Sequence, residues 1–202
     1  MSLWRGKDPL ILASQSHARQ ALLDNAGIEF EAVAAEIDER AVQQASSLSA
    51  PGDIAALLAR EKALSVSMRR AGNFVVGADQ TLALGTRLFT KPDGPAQATE
   101  QLRALAGRGH ELHSAVAVAR DGKILFEAAA IAGMTMRRLG EAEIDVYLDE
   151  AGDAVTSSVG AYQLEGLGVH LFERIEGDHF TILGLPLLPL LGFLRSERLL
   201  GV

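Results

Sequence analysis

The chain of 202 residues contains no cysteine. This absence excludes disulfide frameworks, thiolate nucleophiles and cysteine-bound zinc or iron–sulfur centres. It is compatible with a reducing compartment, and we expect a cytoplasmic protein. A chain of this length fits one large domain or two small lobes, and either can bury a core without cross-links.

Long hydrophobic runs are also missing. Charge, glycine or proline interrupts every apolar stretch well before the roughly 20 residues that cross a bilayer. The first eight residues are polar in character, so we expect neither a signal peptide nor a membrane partner. The apolar stretch Ile182–Leu194 contains two prolines and is interpreted as a helix of the core.

An excess of positive charge is the third absence. The formal net charge is −7, whereas proteins that bind nucleic acid polymers usually carry a concentrated basic surface. We therefore expect no nucleic acid polymer as partner. A small phosphorylated substrate remains compatible with this charge, because a few cations gathered in one cleft set the local field.

The opening segment predicts a strand followed directly by a helix. Leu10–Ala13 is an unbroken apolar run typical of a buried strand, although a buried helical turn has the same pattern. Ser16 is a good helix N-cap, and Gly27 is a natural end for the helix. Free N–H groups of such a helix start, with Arg19 close by, suit a phosphate. The residues alone favour an ordinary strand–helix turn with a serine cap.

The next elements place carboxylates at strand ends. Glu29–Ile37 is a predicted strand that ends at Asp38-Glu39, and Gln43–Pro51 resembles a surface connection. Asn73–Ala78 is predicted as a central strand that ends at Asp79, and ligands of open α/β sheets collect beyond such ends. Between them, a helix from Asp53 to Arg70 has a predicted apolar stripe of Ile54, Leu57, Leu58, Leu64 and Met68.

The second half of the chain alternates in the same way, which indicates a mixed α/β protein. The predicted elements are a hairpin through Leu82, Gly85 and Leu88, a helix over Ala96–Ala106, a hairpin over Gly109–Arg138 that turns at Asp121-Gly122, and helices over Glu141–Ala151 and Pro186–Arg195.

Several functional patterns are weak or missing. His110 and His113 are three residues apart, so on a strand they point to opposite faces and do not chelate one ion. His170 and His179 lack a serine or cysteine partner pattern. Neither a Walker loop nor a dinucleotide-binding glycine fingerprint is present. Lys62, next to Arg60 and Glu61, fits a solvated helix face.

A set of polar residues spread along the chain offers the parts that phosphoryl chemistry requires. Hydroxyls and cations bind phosphate oxygens, and carboxylates bind a hard divalent ion. The set comprises Ser14, Ser16, Arg19, Glu39, Lys62, Asp79, Lys91 and Glu165.

An ordered series of short motifs resembles the Maf family of nucleotide pyrophosphatases over almost the whole chain. The motifs are Ala13-Ser-Gln-Ser-x-x-Arg19, Asp38-Glu39, Glu61-Lys62-Ala63, Gly77-Ala78-Asp79, Lys91-Pro92, Gly160-Ala-Tyr, Gly166-Leu-Gly, Glu173-Arg-Ile-Glu-Gly and Gly184-Leu-Pro-Leu. The resemblance implies one domain over residues 1–202. It implies an elongated mixed β-sheet flanked by helices, with two lobes around a central cleft, as in inosine triphosphate pyrophosphatases. It also implies a homodimer and dependence on a divalent metal, Mg²⁺ or Mn²⁺.

The resemblance assigns roles to individual residues. It implies that Asp79 acts on the attacking water, as a base or through the metal, and that Glu39 assists at the metal. Lys91 and Lys62 would hold the triphosphate and offset charge on the leaving pyrophosphate. Arg19 matches a third position of this kind. The serines of the opening corner, Ser14 and Ser16, would line the phosphate end of the substrate.

Three positions differ from the family members that hydrolyse dTTP and UTP. Ala18, Gln80 and Glu165 stand where Arg, Thr and Gln are usual, and His17 replaces a proline. Gln80 and Glu165 resemble the branch that prefers 7-methyl-GTP, although that branch often has tryptophan at the position of Ala18. The resemblance therefore favours hydrolysis of 7-methyl-GTP to a monophosphate and pyrophosphate. The alternatives are a dTTP or UTP pyrophosphatase and a non-catalytic, nucleotide-binding regulator of cell division and septum formation.

Overall fold

A computed structural model describes residues 3–201 of the chain. Among these residues, seven strands form one mixed sheet with the order β2-β1-β3-β5-β6-β7, and β4 pairs with β3. The strands are β1 (Leu10–Leu12), β2 (Phe30–Ala32), β3 (Val75–Leu84), β4 (Arg87–Phe89), β5 (Gly109–Arg120), β6 (Lys123–Met136) and β7 (Phe172–Glu176). The predicted mixed sheet is confirmed.

The described part of the chain also contains seven α-helices. They are α1 (His17–Asn25), α2 (Glu39–Ser46), α3 (Pro51–Ser67), α4 (Pro95–Leu105), α5 (Glu141–Ala151), α6 (His179–Ile182) and α7 (Leu187–Ser196). Within residues 3–201, no helix is long and apolar enough to cross a membrane.

The chain divides into two compact units. The first unit contains the residues up to Gln80, then Ser114–Ala130, then the residues from His179 onward. The second unit contains Thr81–His113 and Ile131–Asp178. The expectation of a single domain over residues 1–202 stays a prediction.

In the first unit, alternate side chains of the strands pack against helices on the two opposite faces of the sheet. β1 pairs in parallel with both β2 and β3. Even-numbered residues such as Leu12, Val76 and Val118 pack with apolar residues of α1 and α7. Odd-numbered residues such as Ala117 pack instead with alanines of α3. Because side chains two apart share a face, the parity of a residue number predicts which helices it meets.

The structure corrects three of the predicted elements. Helix α2 extends into the predicted Gln43–Pro51 connection as far as Ser46, because Asp38 Oδ1 accepts from the backbone N–H of Ala41 and caps a new helix. Helix α3 starts at Pro51 rather than at an Asp53 cap. Strand β3 does not end at Asp79 but continues to Leu84, because its end pairs with β4 in an antiparallel hairpin.

The buried face of α3 also differs from the predicted stripe. Met68 lies beyond the end of α3 and is 70% exposed, whereas Ala55, Ala59 and Ala63 are fully buried. These alanines pack against the alanines of β5. The helix therefore approaches the sheet closely, because small side chains separate the two backbones.

The second unit has a buried polar pair among aromatic rings. His110 Nε2 lies 2.8 Å from Tyr162 Oη, and the rings of His110 and Tyr162 both lie near Phe172. Burial lowers the pKa of His110 from 6.5 to about 4. The folded protein therefore holds this imidazole neutral.

This pair predicts a loss of stability in acid. The unfolded chain protonates His110 near pH 6.5, whereas the folded chain does so only near pH 4. The contribution of neutral His110 to the free energy of unfolding is therefore fully present above pH 6.5. As the pH falls toward 4, the free energy of unfolding decreases by about 3 kcal/mol. We expect His110→Gln to flatten this part of the pH dependence in urea unfolding, whereas His170→Gln, at an exposed position, leaves it in place. An unchanged slope in His110→Gln would contradict the assignment.

Candidate active site

The centre of the candidate site is a close approach between β3 and α3. Gly77 and Asp79 are odd-numbered and lie on the face that α3 covers. A Cβ atom added at Gly77 would lie 2.1 Å from the carbonyl oxygen of Ala59 and 2.6 Å from the backbone nitrogen of Ala63. No side chain fits between the two backbones at this point. As a result Lys62, on the same turn of α3, reaches Asp79.

Lys62 joins two carboxylates. Its Nζ lies 2.6 Å from Asp79 Oδ1 and 2.8 Å from Glu39 Oε1. Lys62 and Asp79 are buried, whereas the Glu39 side chain is 51% exposed. Glu39 is the first residue of α2, so the Asp38 cap fixes the point from which it reaches Lys62. The structure thus brings together three residues that are far apart in sequence.

Burial raises the pKa of Asp79 above its usual range. The positive charges of Lys62 and Arg19, and the hydrogen bond from Lys62, act in the opposite direction, while Glu39 raises the pKa further. A carboxyl group whose pKa is raised accepts a proton more readily than one with an ordinary pKa. This environment is compatible with the base that the resemblance implies at Asp79.

Arg19 is held by uncharged oxygens. Its Nε donates to Gly184 O at 2.8 Å, and its Nη1 donates to Ala78 O at 2.8 Å and to Ser14 Oγ at 3.3 Å. Burial lowers the pKa of Arg19, and the negative charges of Asp79 and Glu39 oppose this shift. These contacts orient the guanidinium without neutralising it, so its charge is available to an anion.

The two serines hold the corner between β1 and α1. Ser14 Oγ accepts from the backbone N–H of Ser16 at 3.2 Å, and Ser16 Oγ accepts from the backbone N–H of Arg19 at 3.5 Å. The predicted N-cap at Ser16 is confirmed. In these bonds each serine oxygen accepts, so each hydroxyl hydrogen can donate to a phosphate oxygen. Ala18 is partly buried in the first turn of α1.

Gln80 lies on the opposite face from Asp79, because it is the next residue of β3. Its Nε2 donates to Ser114 Oγ at 2.9 Å and to the carbonyl oxygens of Thr181 and Ile182 at 3.0 Å each. The side-chain amide is thus in contact with the end of α6.

Two other predicted residues, Lys91 and Glu165, belong to the second unit. Both are exposed. Lys91 follows β4, and Glu165 lies in a tight loop in which a Cβ atom at Gly168 would meet Gln163 O at 2.4 Å. Their roles at the site stay predictions.

Two carboxylates of this site have the chemistry that a divalent ion requires. Among the residues that the structure describes, no group of three or more histidine, aspartate or glutamate side chains could hold a metal. Two carboxylates, Glu39 and Asp79, do converge, and Mg²⁺ is often held by one or two carboxylates with substrate phosphates and water. His110 and His113 have separate partners, Tyr162 and Glu111.

The burial of Lys62 and the close approach at Gly77 were not predicted from the residue pattern. The pattern around Lys62 predicted a solvated face, but only 8% of this residue is exposed. The signal that could have shown this is Gly77 itself. A glycine inside a run of strand residues often marks a close backbone approach.

The fold and these contacts define a mixed α/β protein in which the buried Lys62 contacts a buried carboxylate, Asp79, and a half-exposed one, Glu39. The family described as Maf-like protein matches residues 9–197, and the chain belongs to the Maf family.

Two named proteins are similar to this chain over all or nearly all of its length. A nucleoside triphosphate pyrophosphatase of Bradyrhizobium diazoefficiens is 71% identical over all of both chains. A 7-methyl-GTP pyrophosphatase of Brucella abortus is 52% identical over 94% of this chain and 96% of its own length. A HAM1 protein structure from Coxiella burnetii has a TM-score of 0.42 and 18% identity, covering 65% of this chain and 74% of that one.

Proposed function

We propose that this protein hydrolyses 7-methyl-GTP to 7-methyl-GMP and pyrophosphate. The activity of a nucleoside triphosphate pyrophosphatase, which cleaves a phosphoric anhydride bond, is supported by the family of this chain and by full-length relatives of that name. The predicted enzyme class is thereby confirmed. The observation that carries the proposal is the cluster of Glu39, Lys62 and Asp79 with the oriented Arg19.

In the proposed reaction, water attacks the α-phosphorus. Asp79 orients the water and takes its proton as the new P–O bond forms. The bond from the α-phosphorus to the bridging oxygen breaks, and pyrophosphate leaves with the electron pair. Lys62 and Arg19 offset the charge that develops on the phosphate oxygens. Ser14 and Ser16 donate to the same end of the substrate, and Lys91 is a further proposed cation.

Glu39 and Asp79 would hold the divalent metal, Mg²⁺ or Mn²⁺. The ion would supply charge neutralisation at the phosphate oxygens and an acidified water. The side chain of Lys62 would keep the two carboxylates close together when no ion is bound, because it contacts both.

The preference for a guanine base rests on Glu165. A carboxylate only accepts hydrogen bonds, whereas the glutamine usual at this position donates and accepts. Guanine presents two adjacent donors, N1–H and the N2 amino group, which fit a carboxylate. Methylation at N7 adds positive charge to the ring and favours an anionic partner. The name of the Brucella abortus relative supports the same substrate.

A comparison of purified protein with 7-methyl-GTP, GTP, dTTP and UTP tests this preference. We expect the largest kcat/KM for 7-methyl-GTP. A clear advantage of dTTP or UTP would instead support the alternative of a dTTP or UTP pyrophosphatase. Absence of pyrophosphate release from every nucleotide would favour the second alternative, a non-catalytic regulator of septum formation.

Replacing Glu165 by glutamine tests the base contact directly. The loss of a charged acceptor is expected to reduce kcat/KM for 7-methyl-GTP about 30-fold, with a much smaller change for UTP. Glu150→Gln is the matched control, because Glu150 is an exposed glutamate at the end of α5 in the same unit. An equal loss with both nucleotides would show that Glu165 does not read the base.

Three further expectations belong to the proposal. We propose a homodimer, which light scattering of the purified protein tests. We also propose that the protein binds neither a nucleic acid polymer nor a membrane, and that the enzyme acts in the cytoplasm.

A further inference from the structure

We propose that Gln80 and Ser114 are positioning residues that hold Arg19 in place through the end of α6. The resemblance places Gln80 among the residues that select the base. The contacts of Gln80 point to a different role, that of a positioning residue. The family pattern assigns no role to Ser114. This inference rests on the proposed function only in that Arg19 is taken to bind the phosphate end of the nucleotide.

Three hydrogen bonds converge on the carbonyl oxygen of Thr181. Thr181 O accepts from Ser114 Oγ at 2.7 Å, from Gln80 Nε2 at 3.0 Å and from the backbone N–H of Gly184 at 3.1 Å. Ser114 is completely buried. The last carbonyls of a helix have no partners within the helix, so two side chains from the sheet complete the end of α6.

These bonds support a left-handed backbone conformation at Gly184. Gly184 has φ of +87°, and Leu185 N donates to Phe180 O at 3.1 Å while Gly184 N donates to Thr181 O. This pair of bonds is a Schellman motif, which needs a left-handed residue at Gly184. The motif fixes the direction of the next carbonyl group.

The Schellman motif is connected to Arg19 through the carbonyl oxygen of Gly184. Gly184 O accepts from Arg19 Nε at 2.8 Å, and a Cβ atom at Gly184 would lie 3.2 Å from both Nε and Nη2 of Arg19. A displacement of the α6 end therefore moves the acceptor that orients the guanidinium. Gln80 and Ser114 lie on the even-numbered face of the sheet with this segment, away from Asp79.

The test measures binding of inorganic tripolyphosphate by calorimetry in wild type, Ser114→Ala, Arg19→Lys and the double variant. We expect Ser114→Ala to weaken binding about 10-fold, because a shifted cation loses its aligned bonds. In the Arg19→Lys background, the same substitution should have almost no further effect, because coupled residues are non-additive. Additive losses would overturn the proposal.

A second variant separates positioning from base selection. Gln80→Leu should reduce kcat/KM about equally for 7-methyl-GTP, GTP and UTP, whereas a base-reading residue would change their ratio. A changed ratio with unaltered tripolyphosphate binding would overturn the proposal. Ser67→Ala is the matched control, because Ser67 is a buried serine of the same unit that bonds Leu64 O and Gly122 N. It should not weaken tripolyphosphate binding.

The two proposals fail in different ways. If the wild type releases no pyrophosphate from any nucleotide, the proposed function fails. The tripolyphosphate cycle still decides whether Ser114 acts through Arg19.

Discussion

Asp79→Asn is expected to lower kcat about 1,000-fold, because asparagine cannot take a proton from the attacking water. Nucleotide binding should be largely retained. Asparagine keeps the shape of the side chain and an oxygen that accepts from Lys62 Nζ, which is 2.6 Å from the carboxylate in the native protein. Pyrophosphate release and nucleotide affinity, measured in parallel, check both parts.

The stability of the same variant provides an independent check. Burial raises the pKa of Asp79, so the charged form is disfavoured in the folded protein. The contribution of protonated Asp79 to the free energy of unfolding is present below the pKa that this residue has in the unfolded chain. It is lost as the pH rises through the higher pKa of the folded protein. Asp79→Asn should therefore melt no lower than the wild type at pH 7.

Asp24→Asn, at an exposed position of α1, is the control that should keep full turnover. Normal turnover in Asp79→Asn would refute the assignment.

Gly77→Ala is expected to reduce the free energy of unfolding by about 3 kcal/mol or more. The added methyl group would lie 2.1 Å from the carbonyl oxygen of Ala59, and this oxygen belongs to the backbone of α3. Overpacking against a backbone costs more than against a flexible side chain. Any folded molecules should also lose activity, because displacement of α3 moves Lys62 away from Asp79.

Gly109→Ala is the matched control for this change. Gly109 also lies in a strand, but a Cβ atom there meets only Thr135 Oγ1, at 4.0 Å. Urea unfolding should find this variant close to wild type. Equal stability of the two glycine variants would show that the close approach at Gly77 does not hold α3 in place.

Local features of the fold could be predicted because their causes are local. Ser16 caps α1 as its hydroxyl predicts. The turn between β5 and β6 falls on Asp121 and Gly122, both with positive φ, as this dipeptide predicts. Helix α5 begins and ends at the predicted residues.

Features that depend on tertiary packing were predicted only in part. Ile54 and Leu58 of the predicted α3 stripe are buried, whereas Met68 is exposed. Alanines and Lys62 share the buried face, and these alanines pack against the alanines of β5. The hairpin predicted through Leu82, Gly85 and Leu88 is present, but its first strand is the continuation of β3 beyond Asp79, and the sequence suggested a break there. The serine-rich stretch after Gln43 suggested a loop, but the Asp38 cap extends a helix into it.

The candidate site could be predicted only as a set of residue types. The series of motifs identified Glu39, Lys62 and Asp79, but spacing alone gives no reason for one ammonium to contact both carboxylates. The contacts of Gln80 with the end of α6 could not be predicted either, because they join segments about a hundred residues apart.

The most direct test of the account is the identity of the phosphorus products. Purified protein is incubated with 7-methyl-GTP and Mg²⁺, and phosphorus NMR follows the reaction. The account predicts equal amounts of nucleoside monophosphate and pyrophosphate from the start. Release of orthophosphate with a nucleoside diphosphate would contradict it, because the bond broken would then be the terminal anhydride.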